Sequence, residues 1–167
     1  MSDTLSSTPA TVSAPHFTEN LFAILTETFE RTSGIYLDKD ADFFSTLAAL
    51  SAEQASSPVL GTTVAAQIVH TAFYLRALER YFEGFTGKTA WDESWTVQRV
   101  TEPEWDALRA QFREDYERVV RNLRAVAAWD EGALDFGMTV TVHSAYHLGA
   151  VRQLVKAVKE KVVKEAV

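Results

Sequence analysis

The chain has no cysteine. Disulfides, thiolate metal sites and a cysteine nucleophile are therefore excluded together. It has no run of eighteen apolar residues, which excludes a membrane-spanning helix. Basic charge is scarce: 16 Lys and Arg stand against 23 Asp and Glu. The resulting net charge of −7 argues against a nucleic-acid partner, whose binding needs a basic patch. Internal repeats are absent, and compositional bias is confined to the opening MSDTLSSTPATVSAP. That stretch is polar and has no apolar h-region, so no secretory signal is expected and a cytoplasmic location is. Its Ser, Thr, Ala and Pro follow no period, which predicts a disordered tail over residues 1–15, with His16 solvated at its edge.

What the chain does have is helical periodicity. With 167 residues, 47% apolar and 23% charged, it can bury a full core as one domain over residues 16–167. Apolar residues recurring at three and four predict long helices near 17–32, 63–85, 103–128 and 138–164. Phe17, Leu21, Ile24, Leu25 and Phe29 line the first. Phe43, Phe44, Leu47 and Leu50 predict a further helical segment, and Ser51 with Gln54 forms a capping-box pattern opening a short turn. The second long helix opens on a threonine N-cap and turns Gln67, His70, Thr71, Tyr74, Leu78, Tyr81 and Phe85 inward. A connection of roughly fifteen residues carrying Trp91 and Trp95 follows. Thr101-Glu-Pro-Glu104 is a capping box with proline in the first turn. It starts a helix whose seam is Trp105, Leu108, Phe112, Tyr116, Val119, Leu123 and Val126. The rest of that helix is charged and reads as a solvated face, with Arg118, Arg121 and Arg124 suited to the dipole at its end. The fold class is therefore all-α: a four-helix bundle with a long crossover between helices two and three.

The chemistry gathers in VHSAYHLGAVRQ, residues 142–153 of the last helix. His143 and His147 are one turn apart and share a face with Ala150, Val151, Leu154, Val155, Val158 and Val162, so both imidazoles point inward. His70 lies on the inward stripe of the second helix. A zinc-peptidase motif needs Glu directly after its first histidine; Ser144 stands there and excludes it. Two readings remain. Each ring is a core histidine bonded to a carbonyl or to Tyr74 or Tyr146, or all three hold one divalent metal with a position left open. Spacing alone favours the plainer reading. Imidazole-only ligation suits zinc, nickel or iron. Gln67, one turn before His70, is then either an outer partner of a ligand or a plain buried amide. Asp130, Glu131 and Asp135, before the last helix, read as a solvated loop.

The stretches QIVHTAFYL, EWDALRAQF and HSAYHLGAVRQ together resemble the DinB/YfiT-like family, helical bundles regarded as metalloenzymes. The resemblance runs through most of residues 17–160. It implies a four-helix bundle in up-down-down-up order, with His70, His143 and His147 as metal ligands; Gln67, Tyr74 and Tyr146 are, from their positions, candidates for outer partners or pocket walls. The chain departs from the family pattern where many relatives carry Arg and Gln after the second histidine of the last helix. Here Leu148 and Ala150 hold those places, and Arg152-Gln153 comes a turn later. Some relatives are thiol transferases. A metal-dependent transferase or hydrolase acting on a small molecule is thus expected; for thiol transfer the thiol would be a low-molecular-weight cosubstrate, because no cysteine supplies one. A homodimer is the assembly that goes with this expectation. The reading from a different class is a non-catalytic helical binding or stress-response protein, its metal structural or absent.

Overall fold

The computed structural model describes residues 13–165. It is all-α: no strand occurs among the described residues, and β pairing is limited to one bridge between Val59 and Thr62. That bridge closes a tight turn in which Leu60 and Gly61 both adopt positive φ, 50° and 82°. Six α-helices occur among these residues. Four are long: α1 (Ala14–Phe29), α4 (Val64–Phe82), α5 (Glu102–Arg124) and α6 (Glu131–Glu165). Two are short, α2 (Phe43–Ala48) and α3 (Ala52–Ala55), and a 3-10 turn spans Trp91–Trp95. No helix among them is long and apolar enough to cross a membrane.

Capping explains where the helices begin. Ser13 accepts from the amide of His16 and Pro15 sits in the first turn, so α1 starts earlier than the periodicity predicts and Ala14 and Pro15 are helical. Of the expected disordered tail, residues 1–12 lie outside the described residues. Thr63 accepts from Ala66 at the start of α4. At the start of α5, Glu104 accepts from the Thr101 amide and hydroxyl. The start of α6 departs most from expectation. The stretch carrying Glu131 and Asp135 reads as a loop before the last helix, yet Asp130 accepts from the Ala133 amide and the helix begins at Glu131. Gly137 earns its place inside the helix by contact: a Cβ there would lie 2.8 Å from Leu21 of α1 and 3.3 Å from Trp129.

The helices meet through specific pairs. Phe82 of α4 stacks on Phe136 of α6 at 4.5 Å, while Gln67 and His70 meet His147 further along. Arg76 and Glu79 of α4 pair with Asp115 and Arg118 of α5. Phe17 at the start of α1 packs edge-on against Trp129 beyond α5, and Phe29 at its end stacks on Tyr116 at 4.3 Å. Phe29, Phe43, Phe44, Phe112 and Tyr116 form one aromatic cluster at the heart of the core. Two residues placed inward by periodicity lie at the surface instead: Tyr81 is 36% exposed and Val162 49%, each near the end of its helix.

Among the described residues, four carboxylates are buried that the apolar periodicity does not mark: Glu27, Asp42, Glu79 and Asp115. The face of α5 expected to be solvated carries Asp115, which is fully buried and accepts from Arg76, Arg118 and Gln111. Arg118 also reaches Glu79, at 2.6 Å, so it serves this network and not the helix dipole. Glu27 on α1 is fully buried as well. Burial pushes its carboxyl up, but the Ser33 hydroxyl and the amides of Tyr36, Ile35 and Leu37 together outweigh it and hold it down to about 2. It thereby fixes the loop from Ser33 to Leu37. A carboxyl lowered on folding stabilises the protein above its unfolded value, near 4.5, and loses that contribution as pH falls toward 2. Glu27→Gln is expected to lower the melting temperature at pH 7 and to flatten its fall below pH 4.5 relative to wild type. Thermal scans from pH 7 to pH 3 check this.

Candidate metal centre

His70 comes from the seventh position of α4, and His143 and His147 from adjacent turns of α6. The three rings converge: centroids lie 4.3 Å apart for His143–His147, 4.7 Å for His70–His147 and 5.4 Å for His70–His143. One ring nitrogen of each lies within 4.8 Å of the others, close enough for the three to hold a metal ion. A tetrahedral ion about 2.1 Å from each nitrogen needs them roughly 3.4 Å apart, so the widest pair has at most about 1.4 Å to close.

The outer partners decide which nitrogens are free. His147, 5% exposed, sets Nδ1 2.8 Å from the side-chain oxygen of Gln67. An amide oxygen only accepts, so His147 Nδ1 carries the proton and Nε2 keeps its lone pair. His70 Nδ1 lies 2.8 Å from the Ser94 hydroxyl, and that hydroxyl is 2.5 Å from the Trp91 carbonyl. His143 differs. Its Nδ1 is buried with no partner at all. A buried ring nitrogen left unpartnered costs roughly 1–3 kcal/mol. Such an orphan, beside two imidazoles already held by outer partners, is what a bound cation would relieve, and the donor set fits one.

Aromatic rings enclose these nitrogens. Tyr74 lies flat on His143, centroids 3.3 Å apart at 5°. Trp95 lies flat on His70 at 4.0 Å, and Trp91 packs against Tyr74 and Phe73. Tyr146 meets His147 only with its edge, at 5.0 Å, and is 72% exposed, so it borders the centre from solvent. Ser94 was not legible beforehand; it is 24 residues from His70 and sits in a 3-10 turn that no periodicity marks. Asp130 caps α6, while Glu131 and Asp135 lie exposed in its first turns and not in a loop. Leu148 is buried in the core and Gln153 is exposed.

Electrostatics favour neutral imidazoles. Burial, reinforced by His147 and His70, pushes His143 down to about 3. Burial, then His70, pushes His147 down to about 4, and burial lowers His70 from its ordinary 6.5. Burial raises the Tyr74 phenol, with Asp135 adding to it, so that hydroxyl keeps its proton at neutral pH. His70 and His143 are only half-buried, so the centre is open on one side. Comparison with protein-family models, curated proteins and solved structures finds no match for this chain.

Proposed function

We propose that the protein is a DinB-like metal-dependent enzyme that transfers a low-molecular-weight thiol to a small electrophile. One observation carries the reading: three convergent imidazoles, two with Nδ1 held by outer partners and the third with a buried nitrogen unpartnered. A purely structural role for these rings would leave that nitrogen bonded to a carbonyl or hydroxyl. The helix pairings support the up-down-down-up order that goes with the family. Phe82 meets Phe136 while Gln67 meets His147, which fits opposite directions for α4 and α6. Arg76 meets Asp115 while Glu79 meets Arg118 and Asn122, which fits parallel α4 and α5 on either side of the long connection.

His70, His143 and His147 would hold the ion, which is zinc, nickel or iron by ligand type. When bound, such an ion supplies Lewis acidity and lowers the pKa of a thiol or water that it binds. The rest is the chain's own work. Gln67 keeps the ring proton of His147 on its outer nitrogen, and Ser94 bonds the outer nitrogen of His70. Trp95 and Tyr74 cover the faces of His70 and His143 and exclude water there. The aromatic rim suits a small, partly apolar electrophile and offers no fixed cation to recognise a polyanion.

Because His143 and His147 are already neutral at pH 6 and burial lowers His70, metal binding displaces few protons. Titration calorimetry in buffers of differing ionisation enthalpy is expected to return fewer than one proton per ion. Three ordinary imidazoles of pKa about 6.5 would release roughly two. The reaction itself is tested by incubating metal-loaded protein with low-molecular-weight thiols and an epoxide or halo-aromatic. Thiol-dependent loss of the electrophile is expected, and the His147→Ala variant should lack it. If no thiol accelerates the loss while the metal is bound, a non-catalytic binding or stress-response protein replaces the enzyme.

A further inference from the structure

The turn Trp91–Trp95 has one buried residue. Trp91, Asp92, Glu93 and Trp95 are exposed, whereas Ser94 is 0% exposed and its hydroxyl touches two groups. A hydroxyl has a single proton to give. At 2.5 Å the Trp91 carbonyl must receive it, since two bare oxygens at that separation would repel and the carbonyl would be stranded. Toward His70 Nδ1, 2.8 Å away, Ser94 can then only accept. The proton between them therefore belongs to the imidazole.

We infer that Ser94 is a positioning residue of the three-histidine centre, holding His70 in the Nδ1–H tautomer so that Nε2 faces the other two rings. The inference rests on the metal reading for its effect on affinity, and on hydrogen-bond geometry alone for the tautomer. Trp95, the next residue, fixes the plane of the same ring by stacking on it at 4.0 Å and 14°. Tautomer and ring plane of His70 are thus both set from one short turn of the connection between α4 and α5. His147 receives the same service from Gln67, within the helix pair itself. The connection is in this way part of the centre, although it supplies no ligand.

The test uses the full chain as wild type, Ser94→Ala and Ser94→Thr. Long-range proton–nitrogen spectra of the metal-free protein at pH 7.5 report the tautomer of each of its four histidines. Competition with a chromophoric chelator reports zinc affinity. In wild type, His70 and His147 should both be Nδ1–H. Ser94→Ala should release His70 to a mixture of tautomers, leave His147 unchanged, and weaken zinc binding roughly 10–100-fold. Ser94→Thr, which restores the hydroxyl, should recover both. An Nε2–H His70 in wild type overturns the inference without any variant. So does a Ser94→Ala protein with unchanged tautomer and affinity, or one in which His147 is disturbed equally. Should wild type bind no zinc, the metal reading falls, and the His70 tautomer alone decides the positioning role.

Discussion

His147→Ala is expected to abolish zinc binding while leaving a cooperatively folded helical protein. Loss of an outer partner weakens a metal site roughly 10–100-fold. Loss of one of three ligands should exceed that range and leave no ion bound after gel filtration. The fold should survive, because the core is built elsewhere: Phe29, Phe43, Phe112, Trp105 and Leu25 are all fully buried away from the histidines. The local damage is a small cavity and an unpartnered Gln67 oxygen. Elemental analysis with circular dichroism checks both halves. Retained zinc would remove His147 from the ligand set. Collapse of the helices on losing zinc would mean that the ion drives folding, as a structural site does.

Arg118→Met is expected to be strongly destabilising although it lies away from the centre. Arg118 serves two buried carboxylates at once, Glu79 and Asp115, whose side chains are 7% and 0% exposed. Removing the guanidinium leaves Glu79 with Asn122 as its only donor and takes one of two cations from Asp115, which keeps Arg76 and Gln111. Breaking a buried pair from one side typically costs roughly 3–5 kcal/mol. For a protein of this size that is roughly 6–20 °C of melting temperature, at about 2–4 °C per kcal/mol. Asp115→Asn should cost less. It abandons Arg76 and Arg118, but their side chains are 41% and 33% exposed and can turn to water. Thermal and urea unfolding of both variants separates the two cases. A loss of under about 1 kcal/mol for Arg118→Met would mean that the network behaves as a surface pair.

Much of this was legible beforehand because period and caps are local. The spacing of Phe17 to Phe29 and of Trp105 to Leu123 marked α1 and α5, and the Thr63 and Thr101 caps marked where α4 and α5 begin. The inward placement of His70, His143 and His147 followed from two apolar stripes, while their meeting at one centre was an expectation of the family resemblance; Gln67 was a candidate partner from its place one turn before His70. What escaped depends on contacts distant in sequence. The first turns of α6 look like loop until Leu21 and Trp129 are seen pressing against Gly137 within the helix. Asp115 looks like one more surface charge until Arg76, 39 residues away, arrives to pair with it. Glu27 looks misplaced in an apolar seam until the loop beyond it folds back and offers its amides. Tyr146, expected beside the centre, touches His147 with its edge but lies largely in solvent.

The central claim is that three imidazoles hold one ion with a position left open. X-ray absorption at the zinc edge, on protein loaded with one equivalent, tests it most directly. The expected first shell is three imidazole nitrogens at about 2.0–2.1 Å, with the outer-ring scattering of three histidines, and one further light atom from solvent. Addition of a low-molecular-weight thiol should replace that light atom by a sulfur near about 2.3 Å. A shell with fewer than three imidazoles, or a protein that retains no zinc at all, would contradict the account.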